Sequence, residues 1–164
     1  MFVRQLFCPA TAVLFLAVIM SGCEYHREPD TLIKEGYDEA EMEKAMADAR
    51  KGAHHFIAAL QAGDATNYAV KAPIRDKANG VEHFWLIKIT LTNGRFVGEI
   101  NNKPGIVKNV KLGDRYSVAI DEISDWMFVR NDLMHGNYTS RVLFPLMDPD
   151  EAQLMKSQMA ALPE

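Results

Sequence analysis

A chain of 164 residues, 48% hydrophobic and 24% charged, is long enough for one folded domain and too apolar for a disordered one. Its formal charge of −4 and pI near 5.7 argue against the basic surface that nucleic acid binding normally uses. Neither internal repeats nor low-complexity runs occur, and both cysteines, Cys8 and Cys23, fall within the first 23 residues.

Residues 1–22 read as a secretory signal peptide, with Arg4 as the positive n-region and an apolar run from Ala12 to Met20. That run is about half the roughly 20 residues of a spanning helix. It ends in Met20-Ser21-Gly22-Cys23, which resembles the lipobox of bacterial lipoproteins, with Met20 where Leu is usual. The resemblance implies a diacylglyceryl group on Cys23, cleavage before it, and acylation of the new amino group by a palmitate-like chain. Each buried CH₂ contributes about 0.8 kcal/mol, so two or three chains hold a protein on a bilayer. Glu24, rather than Asp, follows the cysteine, which resembles an outer-membrane destination. The expected partner of Cys23 is therefore the membrane, with the rest of the chain facing the periplasm. Residues 23–36 are polar, contain Pro29 and lack periodicity, as a tether does.

A single domain is expected over residues 37–164. Asp38 with Glu41 three residues on starts a helix, and Gly63 stops it. Between them Met42, Ala45, Met46, Ala49, Ala53, Phe56, Ile57 and Leu60 form one apolar stripe, opposite Glu39, Glu43, Lys44, Asp48 and Lys51. His54 and His55 are immediate neighbours, about 100° apart around a helix, so they cannot chelate one ion together. One flanks the stripe and the other faces out.

Beyond Gly63 the period becomes two. Tyr68 to Pro73 is a first strand, and 83–102 is a hairpin closed by Asn93-Gly94, a pair suited to the positive φ of a type I′ turn. The expected register sets Thr92 opposite Arg95, Leu91 opposite Phe96, Ile89 opposite Gly98, Ile87 opposite Ile100 and Trp85 opposite Asn102. On the other face Thr90 meets Val97, Lys88 meets Glu99 and Leu86 meets Asn101. Trp85, Ile87 and Ile89 then face the core. Pro104-Gly105 makes a turn, and 106–112 is a connection or edge strand. Strands are expected over 115–120, 125–129 and 138–144, with a turn at Asn131-Asp132. Asp148 and Pro149 open a final helix with Leu154, Met155, Gln158, Met159 and Leu162 on its inner side. The class is α+β, with a long N-terminal helix and a short C-terminal one on five or six antiparallel strands, open or partly closed into a barrel.

Catalytic signatures are absent from the sequence: no G-x-S-x-G, no phosphate-cradling glycine loop, no H-E-x-x-H and no C-x-x-C. Once Cys23 is acylated no thiol nucleophile remains. The helical pairs Met42/Met46 and Met155/Met159 have thioether spacing for Cu(I), yet both fall on core stripes. No metal or cofactor is expected. Polar and aromatic groups gather instead at strand ends: Glu82, His83, Asn101, Asn102, Asp125, Trp126, His135, Tyr138 and Arg141. As a candidate binding constellation they sit beside a structural alternative, in which Asp125 caps a turn, Trp126 packs in the core and Arg141 pairs with a carboxylate.

Lys71-x-Pro73, Glu82-His83-x-Trp85, Gly98-x-Ile100-x-Asn102-x-Pro104, Gly113-Asp114, Ile123-x-Asp125-Trp126-Met127 and Gly136-x-Tyr138-Thr139-x-Arg141 together resemble the YegJ-like bacterial domains of unknown function. The resemblance covers about residues 68–143, with Asn137 where many members carry a second glycine. It implies an α+β domain and brings no activity or catalytic residues with it. The functional expectation is a non-enzymatic periplasmic module that binds a protein or envelope component. One version is an immunity-type lipoprotein that neutralises a toxin. The rival is a hydrolase using Glu82, His83 or Asp125 as acid or base.

Overall fold

A computed structural model describes residues 36–163; the signal peptide, Cys23 and nearly all of the tether lie outside the described residues. Asp38 caps the first helix, its Oδ1 accepting from the Glu41 N–H at 3.0 Å. The stripe is continuous but the helix is not: α1 (Glu39–Lys51) and α2 (Ala53–Ala62) meet at Gly52. A Cβ on Gly52 would lie 2.6 Å from Tyr138 Oη and 3.3 Å from Trp126, so the break is where two aromatic side chains press against backbone. Gly63 ends α2 in the left-handed conformation. Ala49, Ala53, Phe56 and Ala59 are buried, while His55 flanks them and His54 faces solvent.

The stripe packs on a six-stranded antiparallel sheet: β1 (Thr66–Arg75), β2 (Val81–Thr92), β3 (Arg95–Ile100), β4 (Arg115–Ala119), β5 (Asp125–Arg130) and β6 (Leu133–Gly136). The spatial order is β4-β3-β2-β1-β5-β6, open rather than closed into a barrel. Phe56 sits at the centre of the interface, its ring 5.4 Å from Phe96, 5.9 Å from Tyr68 and 6.0 Å from Trp126. Both sheet edges are blunted. On β4 the Ser117 carbonyl accepts from Arg95 and the Ala119 N–H donates to Glu122. The residues after α4 (Pro149–Ser157) run beside β6, the Met134 N–H donating to the Gln158 carbonyl and the Ala160 N–H to the Met134 carbonyl.

The β2–β3 hairpin follows expectation near its turn and departs from it further down. Asn93 and Gly94 have φ of 50° and 72°, and Thr92/Arg95, Leu91/Phe96 and Thr90/Val97 are opposed. Below them β2 holds one residue more than β3, so Ile87 faces Glu99 and Leu86 faces Ile100. Lys88 stands at this bulge with φ of 54°. The bulge reverses the side-chain parity. Leu86 and Phe84 are buried inside, whereas Trp85 and Ile87, expected in the core, are half-buried on the outer face; only Ile89 of the three is buried. Gly98 admits the bulge, since a Cβ there would lie 2.7 Å from the Ile87 carbonyl oxygen. The Lys88–Glu99 pair forms at 2.7 Å between exposed side chains.

Residues 138–144 are not a strand. β5 turns back through Asn131 and Asp132, both at positive φ, into β6, and the chain then enters α3 (Tyr138–Leu143). Residues 106–112 form a connection with Val107 buried. α4 begins at Asp148-Pro149 as expected, but its buried residue is Ala152; Leu154, Gln158 and Leu162 are exposed.

Candidate functional site

Strand register places Trp85, Lys71 and Asp125 in one row across β2, β1 and β5 on the face turned away from α1 and α2. Asp125 is fully buried there and its carboxylate is saturated. Oδ1 accepts from the N–H groups of Trp126 at 2.8 Å and Tyr138 at 3.0 Å; Oδ2 accepts from the Thr139 N–H at 2.8 Å and Oγ1 at 2.6 Å. Asn137, with φ of 55°, offers α3 no side-chain cap, so Asp125 supplies one from 13 residues away. Thr139 Oγ1 accepts in turn from Lys71 Nζ at 2.7 Å, and that ammonium lies 4.6 Å from the centre of the Trp85 ring. Burial pushes the Lys71 pKa down, against the pull of Asp125.

Glu82 makes a second clamp of the same kind. It is buried, and its two oxygens accept from the N–H groups of Gly105, Ile106 and Val107 at 2.7–3.1 Å, which fixes the β3–β4 connection. His83 is exposed, with Nδ1 2.8 Å from Ser124 Oγ; Ser124 is buried and donates to the Lys71 carbonyl at 3.2 Å. The His83 pKa lies below its ordinary value, through partial desolvation of the ring against Ser124 first and the Lys71 charge second.

The remaining candidates are structural in their contacts. Trp126 is buried, donates from Nε1 to the Ala49 carbonyl at 2.8 Å and stacks on Phe128. Tyr138 packs edge-on against Trp126, and burial, with Asp125 adding to it, raises its pKa. Gly136 allows this packing: a Cβ there would lie 2.3 Å from the Trp126 carbonyl. Among the described residues Arg141 has no carboxylate in an ion pair; it donates to the Ala160 carbonyl at 2.7 Å and holds the C-terminal segment, with burial lowering its pKa. His135 stacks on Phe128. Glu82, His83 and Asp125 therefore make no shared acid–base pair.

Asn101 and Asn102 stand elsewhere. They line a recess of about 720 Å³ on the outer face, together with Asn67, Trp85, Ile87 and Met127. Two bulges shape it. One is at Lys88 in β2; the other is in β1, where one extra residue lies between Thr66 and Ala69 and Asn67 has φ of 53°. Bulges bend a sheet and re-aim side chains, and they concentrate beside functional sites. The volume falls in the range of about 300–1,000 Å³ typical of ligand pockets. Among the described residues its lining holds no carboxylate or histidine; its titratable groups are Lys88, paired with Glu99, and the Tyr68 phenol, which is already bonded to the Ala65 N–H and Ala59 carbonyl. Asn102 Oδ1 accepts from the Trp85 N–H at 3.0 Å, and the Asn101 N–H donates to the Trp85 carbonyl at 2.8 Å. Trp85 and Asn67 escaped the sequence-based selection. The sign that would have exposed the recess is Gly98, a glycine inside a strand, which marks a bulge.

Among the described residues no cluster of three or more His, Cys, Asp or Glu is placed to hold a metal ion. No helix among them is long and apolar enough to cross a membrane.

An α+β domain with an open antiparallel sheet, two carboxylate clamps and a recess lined by amides and aromatic rings is the class these features define. The chain belongs to the bacterial family described as "Uncharacterized protein conserved in bacteria (DUF2314)", whose pattern it matches over residues 39–160. The match takes in α1, α2 and α4, beyond the 68–143 core that carries the motifs. Uncharacterized protein YegJ of Escherichia coli (strain K12) is 42% identical over 130 residues, covering 79% of this chain and 84% of the relative. A putative ankyrin repeat protein of Neisseria meningitidis serogroup B is 36% identical over 85 residues, covering 50% of this chain and 34% of that protein. No solved structure matches.

Proposed function

We propose that the protein is a non-enzymatic binding module, anchored to the bacterial envelope through acylated Cys23 and turned towards the periplasm, with the recess on the outer sheet face as its binding surface. The observation that carries this is the chemistry of the lining among the described residues: two aromatic rings, aliphatic and thioether groups and three amides, with the Lys88 ammonium paired to Glu99 and the Tyr68 phenol bonded to Ala65 and Ala59. A hydrolase built on Glu82, His83 or Asp125 has the weaker support, because each carboxylate is buried and already accepts three or four hydrogen bonds and the His83 ring is hydrogen-bonded to Ser124 rather than to either of them. The lipobox-like Met20-Ser21-Gly22-Cys23 supports the anchor.

The test uses the full-length chain in cells, with a photo-reactive amino acid in place of Ile87 in the recess or of Lys44 on exposed α1. The reading expects an adduct at position 87 and none at 44. Equal labelling, or none at 87, contradicts it. A protein-sized adduct at 87 would favour the toxin-neutralising form of the module. Cys23→Ala should move the chain out of the membrane fraction; unchanged fractionation contradicts the anchor.

A further inference from the structure

The recess combines groups that together select a ligand class, and we infer, on the reading above, that it binds a saccharide, neutral or acidic, with Trp85 as stacking platform and Asn67 and Asn102 as the hydroxyl-reading groups. A sugar ring is amphipathic: its C–H face packs on an aromatic ring, and its rim of hydroxyls both donates and accepts. An asparagine amide matches that rim because one side chain offers both a carbonyl and an NH₂ group. At Asn102 the carbonyl end is fixed by the Trp85 N–H, so its NH₂ is the end turned to other partners. Ile87 and Met127 add apolar floor between the amides.

Charge narrows the class. A tryptophan in a recess ordinarily invites a cation. Here the chain fills that role itself, with the Lys71 ammonium 4.6 Å from the Trp85 ring centre and anchored on Thr139. A second cation would meet this charge, while Lys88 on the rim is already paired with Glu99. With no carboxylate in the lining among the described residues, a cationic peptide or quaternary amine finds no counter-charge there, whereas hydroxyls need none and a sugar carboxylate is opposite in sign to Lys71. The same absence means the sugar is held and not cleaved, since glycoside hydrolysis usually needs two flanking carboxyl groups.

Trp85 also reports on its own site. The chain has two tryptophans, and the other, Trp126, is buried in the core. The full-length acylated chain in detergent is titrated with chito-tetraose as the neutral probe and with glycan strands alternating N-acetylglucosamine and N-acetylmuramic acid as the acidic one. It is also screened on an array of neutral and acidic glycans. The expected result is saturable change in tryptophan emission for at least one glycan, absent in Trp85→Phe. Asn67→Gly, which keeps the left-handed backbone while deleting the amide, should weaken affinity about tenfold, the loss of roughly one hydrogen bond. A neutral or an acidic preference in these arms names the ligand source. No binding across the array, with control lectins active, overturns the saccharide inference. If protease-sensitive envelope material then perturbs Trp85, the binding module stands with a peptide ligand; if nothing perturbs Trp85, both readings fall.

Discussion

The carboxylate clamps and the outer-face recess make opposite use of polar residues. At the row ending in Asp125, and again at Glu82, buried carboxylates collect backbone N–H groups and fix α3 and the β3–β4 connection. In the recess, which the same strands β1, β2 and β5 line, amides border an aromatic ring and no ionised oxygen among the described residues takes part. Residues with the most reactive side chains therefore hold the scaffold, and those with the least reactive ones border the cavity. Chemical character alone does not locate a site; burial and the number of lone pairs already engaged do.

The contrast is broken first at Asp125. Asp125→Asn replaces an acceptor with an NH₂ that faces N–H donors, and should cost roughly 3–5 kcal/mol of unfolding free energy in urea titration. Stability near wild type would make Asp125 a replaceable group and the clamp a fiction. Glu82→Gln should cost roughly 2–3 kcal/mol by the same measurement, because one end still accepts. Gly136→Ala forces a Cβ against the Trp126 carbonyl at a φ of 77°, and roughly 2–4 kcal/mol is expected. Trp85→Phe and Asn67→Gly, on the outer face, should each stay within about 0.5 kcal/mol of wild type. A large loss at either would make the recess part of the core.

A smaller effect sharpens the comparison through pH. The folded-state pKa of His83 lies below 6.5, through partial desolvation first, with Lys71 and Arg75 also opposing its protonation and Glu43 favouring it. The unfolded chain then binds the proton more readily than the folded one. Stability contributed by neutral His83 is complete above pH 6.5 and declines as pH falls from there towards the folded pKa. Thermal unfolding of wild type should drop more between about pH 7 and pH 5 than that of His83→Gln. Identical slopes would show that His83 feels neither burial nor Lys71.

How much of this is legible in the sequence depends on whether the governing contact is local. Asn93-Gly94 and Asn131-Asp132 carry their own turn chemistry, and Asp38 and Asp148 carry their own caps, so those features are readable. The lower half of β2 is not, because Phe84-Trp85-Leu86-Ile87 is apolar on both parities and either phase satisfies alternation. Only Gly98 on the facing strand betrays the bulge. The stretch from Tyr138 reads as a strand from its aromatic and β-branched residues, yet its N–H groups find Asp125, a partner that local propensity cannot register. Within the candidate constellation, Asn101 and Asn102 reach the recess while Glu82, Asp125, Trp126, Tyr138 and Arg141 are engaged in holding the fold.

Amide hydrogen exchange tests the central claim most directly, since the claim concerns five particular N–H groups. In the wild-type protein the amides of Tyr138 and Thr139 should be protected through Asp125, and those of Gly105, Ile106 and Val107 through Glu82. Asp125→Ala should release the first pair and Glu82→Ala the second set. Rapid exchange of these amides in the unaltered chain would contradict the account, for the two carboxylates would then be free to do chemistry.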